Sequence, residues 1–298
     1  MSAAESEFIA ALRGIADDPA ARGLADDAAV LGDLVLTHDM IVEGVHFLAA
    51  DPPADVAWKL LAVNLSDLAA KGATPIGCLL GAGLTGDAAW NRDFVAGLGA
   101  ALRRFDLPLL GGDTVAMPAG GPLTLGLTAI GRAPVAPSRS GARAGDRLWV
   151  TGTIGDAALG LALLRAGKAS PKTAISAYRR PTPLLAQGRA LAPHVSAMMD
   201  VSDGLLLDAA RMAEASGLAL DIALDAIPLS QVVSASGMGT LAAATAGDDY
   251  QLLFAAAPDA KLPVAATPIG RFSAGSGMKL TDAGRPVPLP DRLGYLHG

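Results

Sequence analysis

Apolar runs in this chain repeatedly end in aspartate. In "MMDVSDGLLLDAARMAEASG", residues 198–217, one such run is cut by Asp-Val-Ser-Asp-Gly and resumes with helical spacing. The pattern predicts a strand, a turn and a helix that Gly217 ends. "DLVLTHD" (33–39) reads as a short strand, and "DVAWKLLAVNLSDLAAKGATP" (55–75) as a helix with Leu61, Leu65 and Leu68 on one face. Asp55 is its predicted N-cap; Gly72 and Pro75 are its predicted stop. Residues 76–84 read as a buried strand and 91–105 as the next helix. "LPLLGGDT" is a strand running into a glycine pair, and 123–131 alternates as a strand. The Pro, Gly and Ser of residues 132–146 mark a domain boundary, so domains of 1–135 and 136–298 are expected. "RLWVTGTIGDAALGLALLRAG" is then strand, glycine turn and helix. Residues 178–185 form a Pro-rich connector, and "GDDYQLLFAAA" enters another strand. Strands and helices alternate in both halves, so the fold class is α/β or α+β.

Composition narrows the function. A chain of 298 residues, 51% hydrophobic, has ample material for two cores, and a net charge of −6 without like-charge blocks excludes nucleic acid as the main partner. One cysteine, Cys78, permits no internal disulfide and suits a reducing compartment. No apolar run reaches the ~18 residues of a membrane helix. The acidic start "MSAAESEFIAALRG" lacks the basic, apolar plan of a signal peptide. A cytoplasmic protein without membrane contact is expected.

The aspartates carry the chemistry. Asp26, Asp27, Asp39, Asp67, Asp113, Asp200 and Asp203 mostly end apolar runs or adjoin Gly or Ser. Singly, each reads as a cap, a turn or a helix pair such as Asp67 with Lys71. Together they read as oxygen ligands gathered at strand ends, where α/β proteins place their sites. The His and Cys spacings of a zinc site are missing, so Mg²⁺ is the expected ion. The metal also answers a charge problem. Two unit negative charges about 4 Å apart repel by roughly 4 kcal/mol at an effective dielectric near 20, so bare aspartates would repel a nucleotide that metal-loaded aspartates would hold. No Walker A loop, dinucleotide fingerprint or protein-kinase motif set is present.

In this order, "DDAAV", "THDMIVEGVHF", "WKLLAVNLSDLAAKGATP", "GGDT", "SRSGARAGD", "VTGTIGDAALGL", "DVSDGLLLDAARMAEASG" and "GDDYQLLF" resemble the thiamine-monophosphate kinases of the aminoimidazole-ribonucleotide-synthetase-like superfamily. The resemblance spans nearly the whole chain. It implies a two-domain fold of mixed sheets with packed helices, and ATP-dependent phosphorylation of thiamine monophosphate to thiamine diphosphate by direct in-line transfer. Several Mg²⁺ ions are implied, with a homodimer built through the N-terminal, ATP- and Mg²⁺-binding domains and a C-terminal domain that completes the site. Asp27, Thr37, Asp39, Asp67, Asp113, Asp200 and Asp203 match metal positions. Gly112, Asp113, Arg139 and Ser202 match ATP contacts; His46, Asp248 and Tyr295 match substrate contacts. No protein nucleophile or base is implied.

The chain departs from the family pattern at several places. His38 stands for a Thr beside Asp39, Asp248 and Gln251 for two Glu, Lys71 for an apolar Met, and Ala25 for a Gly. His194 and His297 carry no signal. Two alternatives stay open to the sequence: another ATP-using enzyme of the superfamily, and a non-catalytic nucleotide-binding scaffold.

Overall fold

The computed structural model describes residues 3–296, so His297 lies outside the described residues. The first half builds one five-stranded sheet. Helix α1 (Ala3–Arg13) precedes β1 (Ala29–Leu31) and β2 (Leu34–Val42). Then come α2 (Pro53–Ala70), β3 (Thr74–Leu84), α3 (Ala88–Arg104), β4 (Leu109–Ala116) and β5 (Thr124–Arg132). The strand order is β1-β2-β5-β3-β4. Only the β3–β4 pair is parallel, as the α3 crossover between them requires.

The second half supplies β6 (Arg147–Val150), α4 (Asp156–Arg165), α5 (Lys172–Arg179), α6 (Leu185–Leu191), β7 (Ala197–Asp200), α7 (Leu205–Ala215) and β8 (Leu218–Ala223). It continues with α8 (Gln231–Ser236), α9 (Thr240–Ala244), β9 (Leu252–Ala256), β10 (Thr267–Ala274), β11 (Met278–Asp282) and β12 (Arg285–Val287). These strands form a seven-stranded sheet, β12-β11-β8-β10-β6-β9-β7, antiparallel except at β11–β8. Among the described residues no helix is long and apolar enough to cross a membrane.

Helix α2 joins the halves. It packs on β2, β5 and α3 in the first half and on α6, β7 and β9 in the second. It is therefore buried on nearly every side, with Leu60, Leu61, Leu65 and Leu68 fully covered. A helix enclosed in this way is apolar all round, which makes its polar residues Lys59, Asn64, Ser66 and Asp67 conspicuous.

Several local expectations change. Pro52 caps α2; Asp55 sits in its first turn. Gly72, at φ +62°, ends the helix as expected, but Pro75 belongs to β3. Strand β4 runs on through Gly111 and Gly112 instead of turning there. Residues 178–179 finish α5 and Leu185 opens α6, so the connector is shorter than its prolines suggest.

Candidate active site

The ends of β2, α2 and β7 converge on a cleft of about 1300 Å³, lined from both halves of the chain. Strand alternation sets what β2 sends into it. Thr37 is buried and Asp39 lines the cleft. His38 points to the opposite face of the sheet and hydrogen-bonds its cross-strand neighbour Thr128, Nδ1 to Oγ1, at 2.9 Å. The imidazole is thus kept away from the shell of Asp39.

The polar residues of α2 hold the other elements in place. The Asn64 side-chain carbonyl accepts the Asp39 N–H at 2.9 Å, tying β2 to the helix. Asp67 accepts the Thr37 hydroxyl. Ser66 donates to Asp200 Oδ2 at 2.6 Å across 134 residues of sequence. One carboxylate oxygen each from Asp27, Asp67 and Asp200 then lie within 4.8 Å of one another.

The turn after β7 explains the interrupted apolar run. Asp200 ends the strand, and the Ser202 and Asp203 N–H groups donate to Asp208 Oδ2 at 3.1 and 3.0 Å. Arg211 bridges Asp203 and Asp208 at 2.6 and 2.9 Å. Gly204 is required twice over: its φ is +121°, and a Cβ there would stand 2.5 Å from the Ala246 carbonyl oxygen.

So many carboxylates in one place repel. Burial and the charges of Asp203 and Asp27 push Asp39 up to about 6. Burial, with neighbouring aspartates, raises Asp67 and Asp200 well above the ordinary carboxylate range. Buried oxygens that resist ionising together, without soft ligands nearby, call for a hard cation. Asp27 Oδ2 is buried and lies 2.7 Å from Lys71 Nζ. Asp27, Asp67 and Asp200 are thus brought together, with Thr37 on Asp67 and with Asp39 and Asp203 lining the same cleft.

Arg139 and Ser202 flank this cluster. The Arg139 guanidinium pairs with Asp27, while its Nε–H is buried without a partner among the described residues. His46, Asp248 and Tyr295 also line the cleft. Asp248 takes Lys59 Nζ at 2.8 Å and the Tyr250 hydroxyl at 3.0 Å. The Tyr295 N–H donates to the Asp203 carbonyl at 2.7 Å, fixing the C-terminal segment over the turn. His46 Nδ1 accepts the Val42 N–H at 3.0 Å, so the ring proton of the neutral imidazole sits on Nε2. Gln251 turns inward to accept the Thr151 hydroxyl and is not in the cleft.

Gly112 and Asp113 are not brought to the cluster within one chain. Strand β4 is the far edge of its sheet, three strands from β2, roughly 14 Å away at the usual strand spacing. The sequence reading also missed Lys59, Asp208 and Arg211. Lys59 had a signal, a charge inside an apolar helix. Asp208 and Arg211 look like ordinary polar positions of α7 until the turn folds onto them.

The two halves match two family profiles: AIR synthase related protein, N-terminal domain, over residues 25–133, and AIR synthase related protein, C-terminal domain, over 143–283. A thiamine-monophosphate kinase of Caulobacter vibrioides is 42% identical over 94% of this chain and 86% of its own. The structure described as AaThiL complexed with AMPPCP and TMP superposes with a TM-score of 0.86 at 30% identity, covering 97% of this chain and 96% of that one. Thiamine-monophosphate kinase from Stenotrophomonas maltophilia K279a superposes at 0.77 with 35% identity, covering 94% and 96%.

Proposed function

The chain belongs to the thiamine-monophosphate kinases of the AIR synthase related family, and from this premise we infer that it transfers the γ-phosphoryl group of ATP to thiamine monophosphate, giving thiamine diphosphate. The observation that carries the reading is the approach of Asp27, Asp67 and Asp200 beside Arg139 in a cleft wide enough for two phosphorylated ligands. A structural relative holds AMPPCP and TMP together. The discriminating assay follows ADP release from ATP. Thiamine monophosphate should trigger it and unphosphorylated thiamine should not; equal release with both would refute the assignment.

Mg²⁺ fits the donor set. Asp27, Asp67 and Asp200 would hold it, with Thr37, Asp39 and Asp203 adjacent. When bound, the metal supplies charge neutralisation to the phosphates. The protein's own groups do the positioning, which dominates phosphoryl transfer. Arg139 Nε–H is free to donate to a phosphate oxygen. Arg139→Lys should therefore raise the KM for ATP about tenfold, with less effect on thiamine monophosphate, because lysine loses the planar fork. Steady-state kinetics with each substrate varied checks this; equal effects on both KM values would remove Arg139 from the ATP side. His46, with its proton on Nε2, serves as a donor and not as a nucleophile. Asp248 and the Tyr295 ring suit a cationic thiazolium. The acceptor is already anionic, so one in-line displacement needs no protein base.

The reading extends to a homodimer. Helix α2, backed by α3, packs on one face of the five-stranded sheet, while Met40, Ile76, Leu79, Leu109, Leu110 and Val115 lie exposed on its other face and edge. A second copy covering this apolar surface would bring its own edge strand, with Gly112 and Asp113, toward the cleft. A cytoplasmic setting suits the lone Cys78, whose buried thiol is pushed up to about 11 and so kept unreactive.

A further inference from the structure

Lys71 stands one residue before the glycine that ends α2, and its side chain is fully buried. A buried ammonium is costly unless it is paired and hydrogen-bonded. Here it is: Nζ donates to the Asp26 carboxylate and to the Met198 carbonyl at 3.0 Å, and lies 2.7 Å from Asp27 Oδ2. The Asp27 contact is thus a close ion pair inside the protein. Asp27 is also one of the three converging carboxylates.

The charges divide the cluster into two ends. At the Asp26–Asp27 end, the protein supplies its own cations. Lys71 touches both carboxylates, Arg22 lies 2.7 Å from Asp26, and Arg139 pairs with Asp27. At the other end, the side-chain donors to Asp67 and Asp200 among the described residues are the neutral hydroxyls of Thr37 and Ser66.

We propose that Lys71 is a tethered cation that stands in for one divalent ion at the Asp26–Asp27 end of the cluster, so that this chain binds one Mg²⁺ fewer than it would with a neutral residue at position 71. The inference rests on the reading of the cluster as an Mg²⁺ site. The ammonium fills the space between the Asp26 and Asp27 carboxylates, so a metal held by both would have to take its place. A neutral side chain of similar length would leave two buried carboxylates with one fewer positive charge and a gap for a hydrated metal. Lys71 is therefore a positioning residue: it holds Asp27 ready without touching substrate.

The test compares wild type with Lys71→Met, Lys71→Gln and Lys71→Arg. Equilibrium dialysis in saturating AMPPCP counts bound Mg²⁺ per chain, and thermal unfolding is followed in EDTA and in Mg²⁺. Both neutral variants should hold one more Mg²⁺ than wild type. Their rise in Tm from EDTA to Mg²⁺ should be about twofold larger, because the ion now stabilises a site the lysine had filled. Lys71→Arg should keep the wild-type count. If a neutral variant folds only in Mg²⁺, that too supports the proposal. An unchanged count with an unchanged Tm shift overturns it, as does failure of both neutral variants to fold in either condition. Mg²⁺ binding by wild type with no difference in the variants would defeat only the role of Lys71. Absence of Mg²⁺ from wild type itself would defeat the metal reading, and the proposal with it.

Discussion

Asp200→Asn should lower kcat/KM at least about 100-fold, since even groups that merely support metal ligands are worth roughly 10–100-fold. The substitution keeps the shape of the side chain and an oxygen to accept the Ser66 hydroxyl. What it removes is one negative charge from a buried group already held well above the ordinary carboxylate range by burial and by Asp27. The same change should therefore leave the Tm in EDTA equal to or above that of wild type, because it relieves repulsion. Activity and metal-free stability are expected to move in opposite directions, as they do where a strained site is kept for function. Steady-state kinetics and thermal unfolding on one preparation check both. Near-wild-type turnover would take Asp200 out of the site, and a large loss of stability in EDTA would mark it as structural.

Asp113→Asn should be as damaging, although Asp113 lies on the exposed far edge of its sheet. If the partner's edge strand completes each site, two inactive variants should rescue each other. Mixing Asp113→Asn with Asp200→Asn chains, after subunit exchange, leaves one intact site in each heterodimer. About a quarter of wild-type activity should return with random pairing. A mixture that stays inactive although subunits exchange would show that Asp113 does not act across the dimer. A light-scattering mass matching the 29.8 kDa monomer would contradict the dimer itself.

Much of this site is legible from strand ends. Asp39, Asp200 and Asp203 each follow an apolar run, and the Asp-Val-Ser-Asp-Gly interruption gives the turn and its glycine. Helix α2 was legible as a helix, but its polar residues were not legible as a scaffold. Ser66 finds Asp200 across 134 residues and Lys71 finds Asp26 across 45, and local periodicity holds no record of such pairings. His38 looked threatening because it adjoins Asp39, whereas the two-residue period of a strand sends neighbours to opposite faces. The glycine pair Gly111–Gly112, which the strand of "LPLLGGDT" runs into, does not end that strand. Glycine permits a turn, but pairing with β3 along residues 109–116 keeps the strand extended. Strands β11 and β12, at one edge of the second sheet, are short, and only the rest of the sheet determines their pairing.

The most direct test of the central claim identifies the product itself. Purified protein is incubated with ATP, Mg²⁺ and thiamine monophosphate, and the mixture is followed by phosphorus NMR. The expected result is the paired doublets of a diphosphate ester growing in step with ADP as the thiamine monophosphate singlet decays, with no reaction when EDTA replaces Mg²⁺. Persistence of the thiamine monophosphate signal, or ADP accompanied only by inorganic phosphate, would contradict the account.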